Sequence, residues 1–178
     1  EFLSLLLCCS LFSTSTYSQS VKSIQNSSGW TPGGMYYELY SRVGGDSAKE
    51  GNIVKFKVTQ IINDSVIYST DKRIIPYYQQ VGPVSPYDIS EMWQRMKIGD
   101  SLYAVQLMDT FLLRSPEIVP TQFKKGDSIK IYLKVLDIFE SDSLATADLA
   151  NERDKQLKKE VEFLGDYLKQ KNIKATKT

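Results

Sequence analysis

The strongest constraint on how this chain folds is a short turn motif that recurs three times, at Lys49-Glu50-Gly51-Asn52, Lys97-Ile98-Gly99-Asp100 and Lys125-Gly126-Asp127. In each, glycine takes a backbone conformation that side chains resist, and a β-prone run begins within two residues. A phosphate-cradling loop would need a helix after its glycines, and none follows these. The motifs are turns that feed strands, so the body of the chain is expected to be a sheet.

The runs between the turns agree. Ile53 to Ile62 alternates, with Val54, Phe56 and Val58 on one face and Lys55, Lys57 and Thr59 on the other. Asn63-Asp64-Ser65 is a turn, and Val66 to Ser69 returns as a strand. Met35 to Ser41, Ser101 to Leu107 and Ser128 to Phe139 complete the set; in the last, Ile129, Ile131, Leu133 and Val135 share a face. One helix interrupts the strands. Ser85 is its expected N-cap, Pro86 its first residue and Asp88 its acidic third, while Ile89, Met92, Trp93 and Met96 form a buried stripe and Gly99 ends it. One helix laid across a five- or six-stranded antiparallel sheet is an α+β fold.

A longer helix follows, capped by Asp142 or Ser143. Ala150, Leu157, Val161, Leu164 and Leu168 recur at spacings of 7, 4, 3 and 4, and Glu152 to Lys155 and Lys158 to Glu160 charge the other face. Such a stripe needs a partner surface: the domain itself, a neighbouring domain or another chain.

Composition removes whole classes of chemistry. Histidine is absent, so no Ser-His-Asp site, no Cys-His site and no HExxH zinc site exists. Both cysteines, Cys8 and Cys9, lie at the extreme N-terminus, which leaves the body without thiol chemistry. Lys and Arg total 22 against 21 Asp and Glu, so no basic excess points to nucleic acid. No cofactor and no metal are expected.

Phe2 to Phe12 is almost wholly apolar. A bilayer span needs about 20 such residues, whereas a signal peptide needs fewer. Residues 1–18 are read as an export signal, with Thr16-Tyr17-Ser18 placing small residues for cleavage before Gln19. The rival is lipid anchoring through Cys8 or Cys9, although Leu7 and Cys8, rather than small residues, precede them. The chain opens on Glu1 with neither Met nor a basic segment, which implies that the reading frame starts earlier. Residues 19–33, rich in Ser, Gly and Asn, are expected to be a flexible linker in which Trp30 either docks or stays exposed. The expected location is the periplasm or cell envelope.

The order strand, long hairpin, central helix, M-K-x-G-D turn, strand, long loop and final strand, across residues 34–140, resembles the FKBP family of peptidyl-prolyl cis-trans isomerases. Ile89 to Val105 (ISEMWQRMKIGDSLYAV) carries the family's apolar helix ending in Met-x-Val/Ile-Gly. Pro76 to Gly82 (PYYQQVG) looks like its Pro-Phe-x-Phe-x-Leu-Gly strand, and Val54 to Gln60 and Ile67 to Thr70 like its V-H-Y-T-G and F-D-S-S strands. The resemblance implies an antiparallel half-barrel sheet wrapped around one short helix, followed by the amphipathic helix of residues 141–178. Asp166 to Thr178 (DYLKQKNIKATKT) resembles the linker before a second domain in tandem members from bacterial envelopes, which implies a further domain.

Carried over by position, the resemblance implies catalytic roles for Ile67, Tyr68, Tyr77, Ile89 and Ile131. Tyr77 is the aromatic wall after the proline, and Ile67 stands where the family has Phe. Tyr68 stands where it has the acid of F-D-S-S. Ile89 is the pocket floor and Ile131 the final-strand aromatic. Phe56 or Val58 replaces the strand Tyr; with Tyr87 and the rim residues Phe111 and Leu112 they make up the implied substrate-binding set, although the rim lacks the family's Tyr-Gly pattern. Ile67, Ile89 and Ile131 are equally at home in a core. The implied function is an extracytoplasmic isomerase and folding factor for proline-containing polypeptides, with weak activity. The alternatives are a non-catalytic interaction module that binds an envelope partner, one route being the C-terminal helix, and an unrelated α+β barrel.

Overall fold

The computed structural model describes residues 24–72, 75–121 and 123–173. The expected export signal, its cleavage point and both cysteines lie outside these residues. Among the described residues, seven strands form one sheet: β1 (Ile24–Trp30), β2 (Tyr36–Arg42), β3 (Ile53–Ile62), β4 (Ser65–Ser69), β5 (Tyr77–Gln80), β6 (Ser101–Leu107) and β7 (Ser128–Phe139). Every pairing is antiparallel, in the order β1-β2-β6-β7-β3-β4, with β5 also on β3. β4 and β5 share one edge of β3: β5 pairs along Ile53 to Phe56 and β4 along Thr59 to Ile62. Between them the Thr70 hydroxyl completes the ladder, accepting from Val58 N at 2.9 Å and donating to Val58 O at 3.2 Å. The architecture is the expected α+β one, an antiparallel sheet around one short helix.

The recurring turns share more than their glycines. Gly51, Gly99 and Gly126 have φ of 87°, 87° and 89°. The residue after each glycine closes the turn twice. Its backbone N–H donates to the first residue's carbonyl, in Asn52 to Lys49, Asp100 to Lys97 and Asp127 to Lys124, at 3.0, 3.1 and 3.2 Å. Its side-chain oxygen accepts from that first residue's N–H at 2.9, 2.9 and 3.0 Å. A glycine at the third position and an amide or carboxylate at the fourth are thus both required.

The core fills the sheet's concave face. Val54, Phe56, Val58, Leu102, Ile131, Leu133 and Val135 pack on Met92 and Trp93 of the central helix, Ile89–Arg95, and on Met96, which follows it. Trp93 is 1% exposed. This helix is a 3₁₀ helix rather than the expected α-helix from Pro86. Ile89 and Met92, and Trp93 and Met96, are three residues apart, so the tighter period still stacks the stripe.

Its start differs as well. Tyr87 has a φ of 65°, a left-handed conformation that no helix continues through. Its buried environment holds it there: Tyr87 N donates to Glu91 Oε1, Tyr87 O accepts from Gln106 Nε2, and its hydroxyl bonds both backbone groups of Leu107. Asp88, not Ser85, is therefore the N-cap, accepting from Ser90 N at 2.8 Å, and Met96, not Gly99, is the C-cap.

Residues 24–30 correct the flexible-linker expectation. They form β1, paired with β2 from Ile24 opposite Arg42 to Trp30 opposite Tyr36. The turn after β1 is tied to the central helix by Glu91, whose carboxylate accepts from Thr31 Oγ1 at 2.8 Å and Gly33 N at 2.6 Å. Trp30 stays exposed and meets Tyr36 edge-on, with centroids 5.5 Å apart.

The rim segment after β6 is not a plain loop but α1 (Met108–Arg114) followed by a short turn of 3₁₀ helix. The last element, α2 (Asp142–Gln170), is capped by Ser141, which accepts from Leu144 N at 3.5 Å; the expected caps, Asp142 and Ser143, lie inside it. No helix among the described residues is long and apolar enough to cross a membrane.

A candidate peptide-binding cleft

The register of β3 builds the site. Gln60 stands between Tyr68 of β4 and Ile131 of β7 in one cross-strand row. Phe56 stands between Tyr77 of β5 and Val135 of β7 in another. Because side chains on a strand alternate, Phe56, Val58 and Gln60 all point to the concave face. Above them the N-terminal end of the central helix contributes its N-cap Asp88 and Ile89, and Gln79 and Gln106 close the sides. These residues line a cleft of about 390 Å³.

Its floor and wall are aromatic and apolar. Phe56 lies 5.1 Å from Trp93 and 5.4 Å from Tyr77, centroid to centroid, so a buried ring carries the half-exposed wall. Polar side chains share the lining, and Gln106 among them is buried. Gln106 spends its amide donor on Tyr87 O at 2.7 Å, and its Oε1 makes no hydrogen bond among the described residues. Asp88 uses Oδ1 for its helix cap, and its Oδ2 likewise makes none. Asp88 is the one ionisable carboxylate in the lining.

Six of the ten positions singled out from sequence meet here: Phe56, Val58, Tyr68, Tyr77, Ile89 and Ile131. Four do not. Ile67 is 50% exposed, because β4 steps from Tyr68 opposite Gln60 to Val66 opposite Ile61 and leaves Ile67 as the unpaired extra residue of a bulge. Tyr87 is buried, its hydroxyl spent on Leu107. Phe111 packs edge-on against Tyr87 at 5.4 Å, away from the lining, and Leu112 beside it on α1 does not reach the cleft. Sequence reading overlooked Gln60, Gln79, Asp88 and Gln106. For Gln60 a signal existed, since it lies two residues beyond Val58 on the same strand face.

A larger hollow, about 590 Å³, lies on the opposite face of the sheet around the Tyr103–Tyr132 ring pair. It is open and lies away from the central helix. The concave cleft gathers aromatic and apolar side chains with three amides and one carboxylate, which is the arrangement expected of a ligand site. No group of three or more metal-ligating side chains exists among the described residues.

No family model and no curated protein matches the sequence. Solved structures do. FkpA from Escherichia coli aligns with a TM-score of 0.50 at 17% identity, over 63% of this chain and 51% of that one. A peptidyl-prolyl cis-trans isomerase from Pseudomonas syringae pv. tomato aligns at 0.49 and 11% identity, over 63% of this chain and 80% of that one. The chain thus spans about half the length of FkpA.

Proposed function

From the FKBP-type fold as premise, we propose that this chain is an extracytoplasmic peptidyl-prolyl cis-trans isomerase and folding factor with slow turnover. One observation carries the reading: the aromatic and apolar cleft of Phe56, Tyr77, Ile89 and Ile131, on the concave face over the central helix. The X-Pro bond resists rotation by about 18–20 kcal/mol. Lowering that barrier needs no nucleophile, metal or proton relay. It needs a dry pocket that receives the proline ring and favours the twisted amide, in which resonance and dipole are reduced. The lining amides of Gln60 and Gln106 are placed to meet the carbonyl oxygens or N–H groups flanking that ring.

Slow turnover follows from Tyr68. The FKBP resemblance implies an acid at this point, and a phenol supplies a hydroxyl in place of a carboxylate. Electrostatic preorganisation is often the largest catalytic contribution, and losing one such group costs about 2.7–4 kcal/mol. Export rests on the apolar Phe2 to Phe12 segment. The test is exchange of a proline peptide between its cis and trans forms, followed by NMR with the folded chain present. Line broadening that vanishes in a Tyr77→Ala, Ile131→Ala variant supports the reading. Binding without exchange would favour the non-catalytic interaction module, which the same Tyr68 favours.

A further inference from the structure

α2 is longer than its docking requires. Its 29 residues span about 43 Å. Only the first turns meet the sheet, through Ala145, Asp148 and Glu152. At 100° per residue these three share one face, and Leu157, Val161, Leu164 and Leu168 lie roughly on the opposite one. Leu157, Val161 and Leu164 are 59, 61 and 55% exposed. A stripe of this kind facing water is costly unless something covers it.

The charges at its two ends say what does. The heptad spacing that gives Leu157, Val161, Leu164 and Leu168 continues to Asp154 before them and Lys171 after them. Neither Asp154 nor Lys171 makes an ion pair among the described residues. We propose that α2 pairs with α2 of a second copy of this chain in antiparallel orientation. Leu157 then faces Leu168 of the second copy, Val161 faces Leu164, and each Asp154 meets the other copy's Lys171. Two-fold symmetry repeats every contact, so the apolar layers are bracketed by an ion pair at both ends. A parallel pair would instead set Asp154 on Asp154 and Lys171 on Lys171, and bring Arg153 against Lys158. The antiparallel pair buries the stripe without uncompensated charge. It also leaves both clefts open, since the seam faces away from the sheet. This pairing does not depend on the cleft's activity.

Sedimentation of the folded chain at about 50 µM should give the mass of two copies. Asp154→Lys alone and Lys171→Asp alone should each weaken association about tenfold or more, because each creates two like-charge contacts. The double variant D154K/K171D should return it to near the native value. Mixing a Val161→Cys chain with a Leu164→Cys chain under oxidation should give the mixed disulfide dimer. Leu164→Asp should give a monomer with an unchanged near-UV circular dichroism spectrum, since Leu164 touches no core. A native chain that sediments as a monomer overturns the proposal. So does a dimer whose double variant is no tighter than the single ones.

Discussion

Tyr77 stands directly opposite Phe56 in the β3–β5 ladder, with ring centroids 5.4 Å apart, so main-chain register itself sets the cleft wall. The two rings serve different ends. Phe56 is 4% exposed and also touches Trp93, whereas Tyr77 is 43% exposed. Phe56→Ala should therefore destabilise the domain by about 3–5 kcal/mol, seen as a lowered urea midpoint. Tyr77→Ala should leave that midpoint nearly unchanged and weaken proline-peptide binding about tenfold, measured by calorimetry.

Asp88 predicts a substrate preference. It is the sole carboxylate in the cleft lining, and its Oδ2 is not engaged by the described residues. Peptides with Lys or Arg beside the proline should bind more tightly than those with Glu, by about 3- to 10-fold at low salt. Asp88→Asn should keep the helix cap through its side-chain oxygen and abolish the difference. Equal affinity for both peptides in the native chain would count against a role for Asp88.

The docking of α2 should depend on pH at both extremes. Lys55 bonds Asp148 at 2.7 Å and Glu152 at 3.2 Å, and the Tyr78 hydroxyl donates to Asp148 at 2.6 Å. Burial pushes the Lys55 ammonium down, but the bonds to Asp148 and Glu152 outweigh it and raise its pKa above 10.5. Burial pushes Asp148 up, and its bonds with Lys55 and Tyr78 bring it below its ordinary 3.8. Glu152, bonded first by Lys155 and then by Lys55, also falls below its ordinary 4.5. A depressed carboxylate contributes its full stability above the unfolded value and loses it as pH falls through the folded one; a raised ammonium contributes fully below its unfolded value and loses it as pH rises. Hydrogen exchange over the first turns of α2 should thus be slowest between about pH 5 and 10 once corrected for intrinsic rate, and speed up outside that window. Lys55→Met should flatten the acid limb.

Gly33 is a packing glycine. A Cβ there would stand 2.1 Å from Tyr87 N and 2.5 Å from Glu91 Oε1. Gly33→Ala should cost about 1–3 kcal/mol in thermal unfolding, because the backbone of Tyr87 is already held at both ends.

What the sequence made legible was whatever one period governs. The alternation in β3 and β7, the glycine turns and the burial of Trp93 were all readable, and they place Phe56, Val58 and Ile131 in the cleft. The misreadings occur where tertiary bonds override local pattern. β1 (IQNSSGW) shows no alternation, since it is an edge strand whose partner β2 supplies the hydrogen bonds and whose side chains face water. The helix start at Pro86 was plausible until Tyr87 was fixed left-handed by Gln106, Glu91 and Leu107, residues distant or unrelated in local pattern. Ile67 was misplaced because a one-residue bulge is invisible to an alternation rule. Gln79, Asp88 and Gln106 belong to no apolar stripe, so the hydrophobic pattern does not mark them as lining residues.

The isomerisation rate of one proline peptide, with the native chain and with Tyr68→Asp, tests the central claim most directly. Tyr68 sits in the same cross-strand row as Gln60 and Ile131, so a carboxylate there would face the bound amide. The native chain should show slow but measurable catalysis, and Tyr68→Asp should raise kcat/KM, by up to about 10²–10³-fold if the rest of the cleft is competent. A rate in the native chain already at the level of the substituted one would contradict the slow-turnover account. No catalysis by either, with no peptide bound in the cleft, would contradict the assignment of this site altogether.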